Sequence, residues 1–212
     1  MGHPIHGNRR LLDRVAEATN QRNMAPSPAH DENIIRTPID EPLIDRFAAE
    51  AQAVGMSVSR TTEASLIDAI QSLRRTINDE LTLVEPALAA HRPELKTLPR
   101  SLTHPDQDQL YAAELGIVGA SAGIAETGTI VRDAGPGRPR SFALLPMTII
   151  VVLDASTLLP DLYDALARHR PNQLPSETVL ITGPSKSSDI GMKLVTGVHG
   201  PGVVHILIVQ DA

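Results

Sequence analysis

Apolar positions along this chain alternate between the spacing of helices and that of buried strands. In the first half, apolar residues recur at helical spacing over 43–54 and about 62–76, and short apolar runs at 56–59 and 81–84 follow these segments. In the second half, 149–153 is an unbroken aliphatic run, as expected of a central strand buried on both faces. Strands that alternate with helices predict the α/β class, with a mostly parallel sheet flanked by helices.

The rest of the second half predicts further elements. We expect helices at 106–115 and 156–169, a tight strand–turn–strand around Thr127-Gly128, and final strands at 178–182 and 203–209. The helix predicted at 156–169 should direct four side chains inward, those of Leu158, Leu159, Leu162 and Leu166.

The first 35 residues differ from the rest of the chain in composition. They are polar, with a short amphipathic pattern at 11–18 and a proline-containing linker pattern at 24–28. We therefore divide the chain into a polar N-terminal arm, 1–35, and an α/β domain, 36–212. The arm lacks the apolar core of a signal peptide, and no apolar run of about 20 residues follows, so we expect a cytoplasmic protein without a membrane span.

Composition narrows the classes of function. The net charge is −6, no long basic run is present, and the aromatic residues are two Phe and two Tyr, which argues against a nucleic-acid partner. The chain has no cysteine, so it cannot ligate an iron–sulfur cluster through thiolates, form a disulfide or use a cysteine nucleophile. Any redox chemistry would come from a partner protein or from a bound cofactor, which the sequence does not identify.

The stretch from Glu114 to Asp133 places glycines densely among apolar residues: Gly116, Gly119, Gly123 and Gly128. Glycines at this density let the backbone turn sharply and approach a ligand or another strand closely. Two later segments, 182–190 and 197–202, have the same character. We expect the three segments to meet at one place, and we predict the functional site there.

Three residues of these segments are the catalytic candidates: Glu126, Asp189 and His199. Glu126 lies between glycine-rich turns and apolar strands, where a partly desolvated carboxylate could act as a base, a nucleophile or a ligand anchor. It could equally cap backbone N–H groups and fix the turn. His199 could titrate near neutral pH, or be buried and hydrogen-bonded; no H-x-x-x-H spacing supports a metal site with the two carboxylates. His205, within a strand, is expected to be structural.

Lys186 lies in a segment that resembles a phosphate-binding loop only superficially. The glycine that precedes the lysine of such a loop is absent from Gly183-Pro-Ser-Lys-Ser-Ser188. The segment 183–189 follows a strand and is predicted to open a helix, whose N-terminus would attract an anion. The alternative is a plain N-cap formed by Ser185 or Ser187.

Arginines surround the turn at Gly135 to Gly137, namely Arg132, Arg138 and Arg140. Such a loop could clamp a carboxylate or phosphate, or it could be a solvated basic loop. The ligand-binding candidates of the whole chain are Thr127, Gly128, Thr129, Arg140, Gly183, Ser185, Lys186, Ser187 and Gly200.

Four motifs in order carry a resemblance: Ile-Ala-Glu-Thr-Gly-Thr at 124–129, Arg-Ser-Phe-Ala-Leu-Leu-Pro at 140–146, Leu-Ile-Thr-Gly-Pro-Ser at 180–185 and Gly-Val-His-Gly-Pro at 197–201. Together they resemble the LUD domain, that is, the lactate utilization protein C family, over about 114–209. The resemblance implies a fold like that of the NagB/RpiA/CoA-transferase-like group. It also implies a role in oxidising L-lactate to pyruvate with iron–sulfur partner subunits. It transfers no catalytic residue.

Three functions remain open from the sequence. The chain could be an accessory subunit of a lactate-oxidising system that binds a small carboxylate, a nucleotide or a partner protein. It could be a stand-alone enzyme that uses a nucleotide or CoA, related to 5-formyltetrahydrofolate cyclo-ligase or CoA transferases, with Glu126 as acid, base or acyl acceptor. It could also be a structural dimerisation module, and the sequence leaves a homo-oligomer open.

Overall fold

The computed structural model describes residue 36 and residues 38–77, 81–169, 174–188, 194–196 and 200–210. The helices are α1 Leu43–Ala53, α2 Leu66–Ile77, α3 Pro86–His91, α4 Gln107–Ala112, α5 Ser141–Leu144 and α6 Leu162–Ala167. The strands are β1 Ser57–Thr62, β2 Thr82–Val84, β3 Ser101–Leu102, β4 Leu115–Gly119, β5 Ala122–Ile124, β6 Thr129–Ala134, β7 Thr148–Asp154, β8 Leu158–Leu159, β9 Glu177–Ile181, β10 Lys186–Ser188, β11 Leu194–Thr196 and β12 Val203–Gln210. The N-terminal arm predicted at 1–35 lies outside the described residues.

A six-stranded sheet forms the centre of the domain, in the order β1-β12-β7-β4-β2-β3. All neighbouring strands in it are parallel. β7 contains the aliphatic run 149–153, which is buried throughout and pairs with β4 on one side and β12 on the other. The α/β class with a mostly parallel sheet flanked by helices is therefore confirmed.

The two faces of this sheet pack into separate hydrophobic clusters. Ile149, Val151 and Leu153 lie in one cluster with Phe47 of α1. Ile150 and Val152 lie in the other, together with residues of α2. Because successive side chains of a strand point to opposite faces, an unbroken apolar run contributes side chains to both clusters.

A second sheet of four strands, β8-β5-β6-β9, contains the glycine-rich hairpin. β5 and β6 are antiparallel and are joined by the turn at Thr127-Gly128, which confirms the predicted strand–turn–strand. Gly128 has a φ of +63°, and a Cβ built on it would lie 2.2 Å from the backbone nitrogen of Ala51. The turn therefore requires glycine both for its backbone conformation and for its contact with α1.

The helix predicted over 156–169 is confirmed only at Leu162–Ala167, and its first part is wrong. A single 3-10 turn, Ala155–Thr157, leads into β8, and Gly123 of β5 pairs with Leu158. The helix α6 begins only after Asp161, whose side chain accepts the backbone N–H of Asp164 at 2.9 Å. Strand pairing has overridden helical spacing here, and Leu162 and Leu166 are exposed rather than inward-facing.

The predicted helix opening at 183–189 is also wrong, because β10 forms an antiparallel pair with β11 there. The helix predicted at 106–115 is shorter than expected, since α4 ends at Ala112 and Leu115 begins β4. Within the described part of the chain, no helix has the length and apolarity that a membrane crossing requires.

Candidate functional site

A cavity of about 400 Å³ opens at the carboxyl ends of β2, β4 and β7. Glu85 follows β2, Gly119 ends β4 and Asp154 ends β7, and all three residues line the cavity. Within this sheet, β2 is followed by β3, its neighbour on one side, whereas β4 is followed by β7, its neighbour on the opposite side. The direction of the strand order therefore reverses between β2 and β4. Open parallel sheets bind their ligands at such a reversal, outside the carboxyl ends of the strands. The cavity is therefore our candidate site, and we call it the crevice.

Glu85 forms the buried base of the crevice. Pro86 occupies the first turn of α3, so the chain turns immediately after β2 and leaves the Glu85 side chain inside. Its Oε1 accepts hydrogen bonds from Arg132 Nη2 at 3.0 Å and Arg138 Nε at 3.1 Å. Its Oε2 accepts the backbone N–H of Gly119 at 2.6 Å. One carboxylate thus joins β2 to β4, to β6 and to the loop after β6.

Arg132 is almost completely buried, and this burial lowers the pKa of its guanidinium, opposed by the charge of Glu85. Arg138 is partly exposed and lines the crevice. Besides Glu85, it donates to Ser121 Oγ at 2.9 Å and to the carbonyl oxygen of Gly119 at 2.7 Å. The solvated-loop interpretation is therefore wrong for Arg132 and Arg138: both hold a carboxylate of the chain itself.

A second ion-pair group forms one wall of the crevice. Arg92 Nε and Nη2 donate to the two oxygens of Glu63 at 2.7 and 3.0 Å, and Nη2 also donates to Asp154 Oδ1 at 2.6 Å. Burial opposes the charge of Arg92, but its hydrogen bonds and charge interactions with the two carboxylates outweigh that effect and raise its pKa.

His91 lines the crevice at the end of α3. Its Nδ1 lies 2.8 Å from the carbonyl oxygen of Ala87. A carbonyl oxygen only accepts hydrogen bonds, so Nδ1 carries the proton, and in the neutral ring Nε2 is an acceptor. The crevice thus has a hydrogen-bond acceptor next in sequence to the cation of Arg92.

The predicted segments meet in pairs. Thr127 Oγ1 lies 2.7 Å from Thr129 Oγ1, which lies 2.8 Å from Thr182 Oγ1, so a chain of hydroxyls connects the first segment to the second. Glu126 is partly exposed beside this chain, and its backbone N–H donates to the carbonyl oxygen of Pro160 at 3.0 Å. The expected contact between these two segments is present.

The second and third segments also meet. The backbone N–H of Ser185 donates to the carbonyl oxygen of Pro201 at 2.8 Å, and a Cβ built on Gly200 would lie 3.5 Å from Ser185 Cβ. Gly183, with a φ of +103°, is packed against the carbonyl oxygen of Val54. Lys186 Nζ lies close to Gly55.

The other predicted residues do not join this group in the described structure. Arg140 pairs with Glu177, Nη1 to Oε2 at 2.5 Å, on an exposed surface. Asp189, His199 and the side chain of Ser187 lie outside the described residues. Arg138 of the predicted arginine loop lines the crevice, whereas none of the described catalytic and ligand-binding candidates, from Glu126 to Gly200, does so. Their catalytic and ligand-binding roles stay predictions.

Sequence reasoning named Gly119 and Arg138 but missed the other polar residues of the crevice, although part of the signal was present. Glu85 directly follows the short apolar run 81–84, and Asp154 directly follows the run 149–153. Polar residues at the carboxyl ends of two parallel strands indicate a shared edge of the sheet. Nothing in the spacing indicates that Arg92 reaches Asp154, because 62 positions separate them.

Comparison with known proteins shows the family. The chain belongs to the LUD domain family, whose model matches residues 13–209, as the sequence resemblance predicted. It is 29% identical to the lactate utilization protein C of an Exiguobacterium species over 222 residues, covering 95% of each chain. It is 40% identical to that of Macrococcus caseolyticus over 104 residues, a match that covers 47% of this chain and spans only 45% of the relative.

A solved structure shares the fold. A DUF162 family protein from Deinococcus radiodurans superposes with a TM-score of 0.61 at 21% identity, covering 79% of this chain and 96% of that one. This likeness supports the α/β fold alone. The assignment to the NagB/RpiA/CoA-transferase-like group stays a prediction.

Proposed function

We propose that this protein acts in lactate utilization, as an accessory subunit in the oxidation of L-lactate to pyruvate. The observation that carries the proposal is the family match over 13–209, together with a relative named lactate utilization protein C that aligns over 95% of both chains. A cytoplasmic location is part of this proposal.

Iron–sulfur proteins are the partners in this proposal. Conversion of L-lactate to pyruvate releases two electrons and two protons, and the electrons need an acceptor. The chain has no cysteine, so a thiolate-ligated cluster must be supplied by another protein. In this proposal, this chain binds the ligand and its partners transfer the electrons.

The crevice is where we place the ligand. It lies at the carboxyl ends of parallel strands, and it contains the guanidinium groups of Arg92 and Arg138 together with the imidazole of His91. Arginine recognises carboxylates through two parallel N–H bonds. Arg138 is already held by Glu85, so Arg92, whose two carboxylate partners are exposed, is the group through which a small carboxylate would bind.

Deletion of the gene tests the function. The deletion strain should fail to grow on L-lactate, grow normally on pyruvate, and regain growth on L-lactate with a plasmid copy. A tagged chain purified from lactate-grown cells should bring down a protein with iron and acid-labile sulfide. Unchanged growth of the deletion strain on L-lactate would contradict the proposal.

A second function is favoured by the size of the crevice. Its volume, about 400 Å³, falls in the range of about 300–1,000 Å³ that holds ligands larger than a three-carbon acid. In a stand-alone enzyme, a cavity of this volume would hold part of a nucleotide or of CoA. Purified protein should then gain thermal stability with ATP or CoA, because a ligand that binds only the folded state raises the melting temperature. Absence of any such shift would remove this alternative.

A further inference from the structure

The crevice contains two arginine–carboxylate groups that differ in how easily the carboxylate can leave. The side chain of Glu85 is 1% exposed and is bonded to Arg132, Arg138 and Gly119. The side chains of Glu63 and Asp154, which hold Arg92, are 56% and 47% exposed. The first group is a fixed part of the fold, whereas the second has counter-ions in contact with solvent.

Arg92 itself is held in place. Its side chain is only 13% exposed, so its guanidinium is fixed at the wall of the crevice while its partners reach it from the solvent side. An exposed carboxylate that leaves an ion pair regains its water and loses little. A largely buried guanidinium left without an anion loses much more. Arg92 therefore requires a carboxylate, but that carboxylate need not belong to Glu63 or Asp154.

The groups around Arg92 indicate what else the ligand carries. His91 offers the acceptor Nε2, which suits a hydroxyl donor. Ala87, Leu88 and Ala120 line the same cavity and suit a small apolar group. A carboxylate, a neighbouring hydroxyl and a small alkyl group together describe a short-chain 2-hydroxycarboxylate.

We propose that Arg92 is the carboxylate receptor of the crevice, and that a 2-hydroxycarboxylate binds by displacing Glu63 and Asp154 from it. This inference rests on the proposed function and deepens it by naming the binding residue and its exchange of counter-ions. Glu63 and Asp154 act as internal competitors of the ligand. Removing the charge of either one strengthens binding, which is the opposite of what loss of a direct ligand contact would do.

Calorimetric titration of the purified full-length chain with L-lactate tests the exchange. Glu63→Gln and Asp154→Asn should each lower the Kd for L-lactate by about three- to fivefold, the upper part of the range of exposed ion pairs. Arg92→Gln should raise the Kd by roughly tenfold or more, because charge-assisted hydrogen bonds to the ligand are lost. Pyruvate should bind more weakly than L-lactate, since it lacks the hydroxyl that donates to His91.

Asp45→Asn is the matched control. Asp45 is a half-exposed carboxylate that pairs with Arg60 and does not line the crevice, so its removal changes the net charge equally. Its Kd for L-lactate should stay within about twofold of the wild type. Should Arg92→Gln fail to fold, the two acid variants and this control still decide the outcome.

Unchanged or weaker binding by both Glu63→Gln and Asp154→Asn overturns the inference. So does the absence of L-lactate binding in the wild type and in the Glu63→Gln/Asp154→Asn double variant. Loss of growth on L-lactate in the deletion strain, combined with either result, would retain the proposed function and reject only the exchange at Arg92.

Discussion

Glu85 and Arg132 form a buried ion pair between the two sheets. Glu85 Oε1 lies 3.0 Å from Arg132 Nη2, and each side chain is 1% exposed. Glu85 directly follows β2 of the six-stranded sheet, and Arg132 belongs to β6 of the four-stranded sheet. The same carboxylate binds the backbone of Gly119 at the end of β4, so this pair sets the base of the crevice.

Replacement of Glu85 should destabilise the protein strongly. Glu85→Gln leaves the charge of Arg132 buried without its anion, and we expect the free energy of unfolding to fall by about 3–5 kcal/mol. Urea denaturation followed by circular dichroism measures this loss.

Glu177→Gln is the control for that experiment. Glu177 pairs with the exposed Arg140, and such pairs contribute about 1 kcal/mol or less. In the double variant Glu85→Gln/Arg132→Met the buried charge is also gone, so part of the lost stability should return. A Glu85→Gln protein as stable as Glu177→Gln would show that the buried pair does not hold the sheets together.

Substitution of Gly128 should disrupt the contact between the β5–β6 turn and α1. Gly128→Ala puts a Cβ 2.2 Å from the nitrogen of Ala51 at a φ of +63°, so the helix or the turn must move. We expect a loss of about 2 kcal/mol or more in the free energy of unfolding. Gly135→Ala is the control, since no heavy atom beyond the adjacent residues lies within 4 Å of the Cβ built there. Equal stability of the two variants would contradict the described packing of the turn.

His205 should make stability depend on pH. Burial in β12 lowers its pKa below the usual 6.5, so the unfolded chain takes up a proton at a higher pH than the folded chain does. The stability that comes from the neutral ring is complete above pH 6.5 and is lost as the pH falls towards the folded-state pKa. His205→Gln should therefore show a flatter decline of the free energy of unfolding below pH 6.5 than the wild type.

Urea titrations from pH 7.5 to 5 give that profile. His104→Gln is the control, because His104 is exposed in the loop before α4. Its profile should match that of the wild type. Identical slopes for His205→Gln and the wild type would disprove the role of His205.

The sequence predicts the fold best where local pattern and tertiary pairing agree. The run 149–153 is buried on both faces, and the dense glycines around Thr127-Gly128 suit a tight hairpin. The sequence therefore predicts both elements correctly. Over 156–169 the two disagree, because Leu158 pairs with Gly123 in a strand although its spacing to Leu162 is helical. Single-sequence spacing contains no information about that distant partner.

For the functional site, the spacing of residues along the chain says even less about which residues come into contact. The glycine-rich segments stand out in the sequence, and their contacts through Thr129 and Thr182 are as expected. The crevice is built instead from ordinary residues of separate elements: Glu85 and Arg132 are 47 positions apart, and Arg92 and Asp154 are 62 apart. The parallel strand order β7-β4-β2 brings Glu85, Gly119 and Asp154 to one edge, and the arginines reach them from other elements.

We propose that the crevice, rather than the β5–β6 turn beside Glu126, binds the ligand used in lactate utilization. The deciding measurement is the consumption of L-lactate by deletion cells that carry wild-type, Arg92→Gln or Glu126→Gln protein at matched protein levels. We expect Arg92→Gln cells to consume little L-lactate and Glu126→Gln cells to consume it at close to the wild-type rate. Normal consumption with Arg92→Gln, together with loss of consumption with Glu126→Gln, would contradict the claim and place the site at the β5–β6 turn.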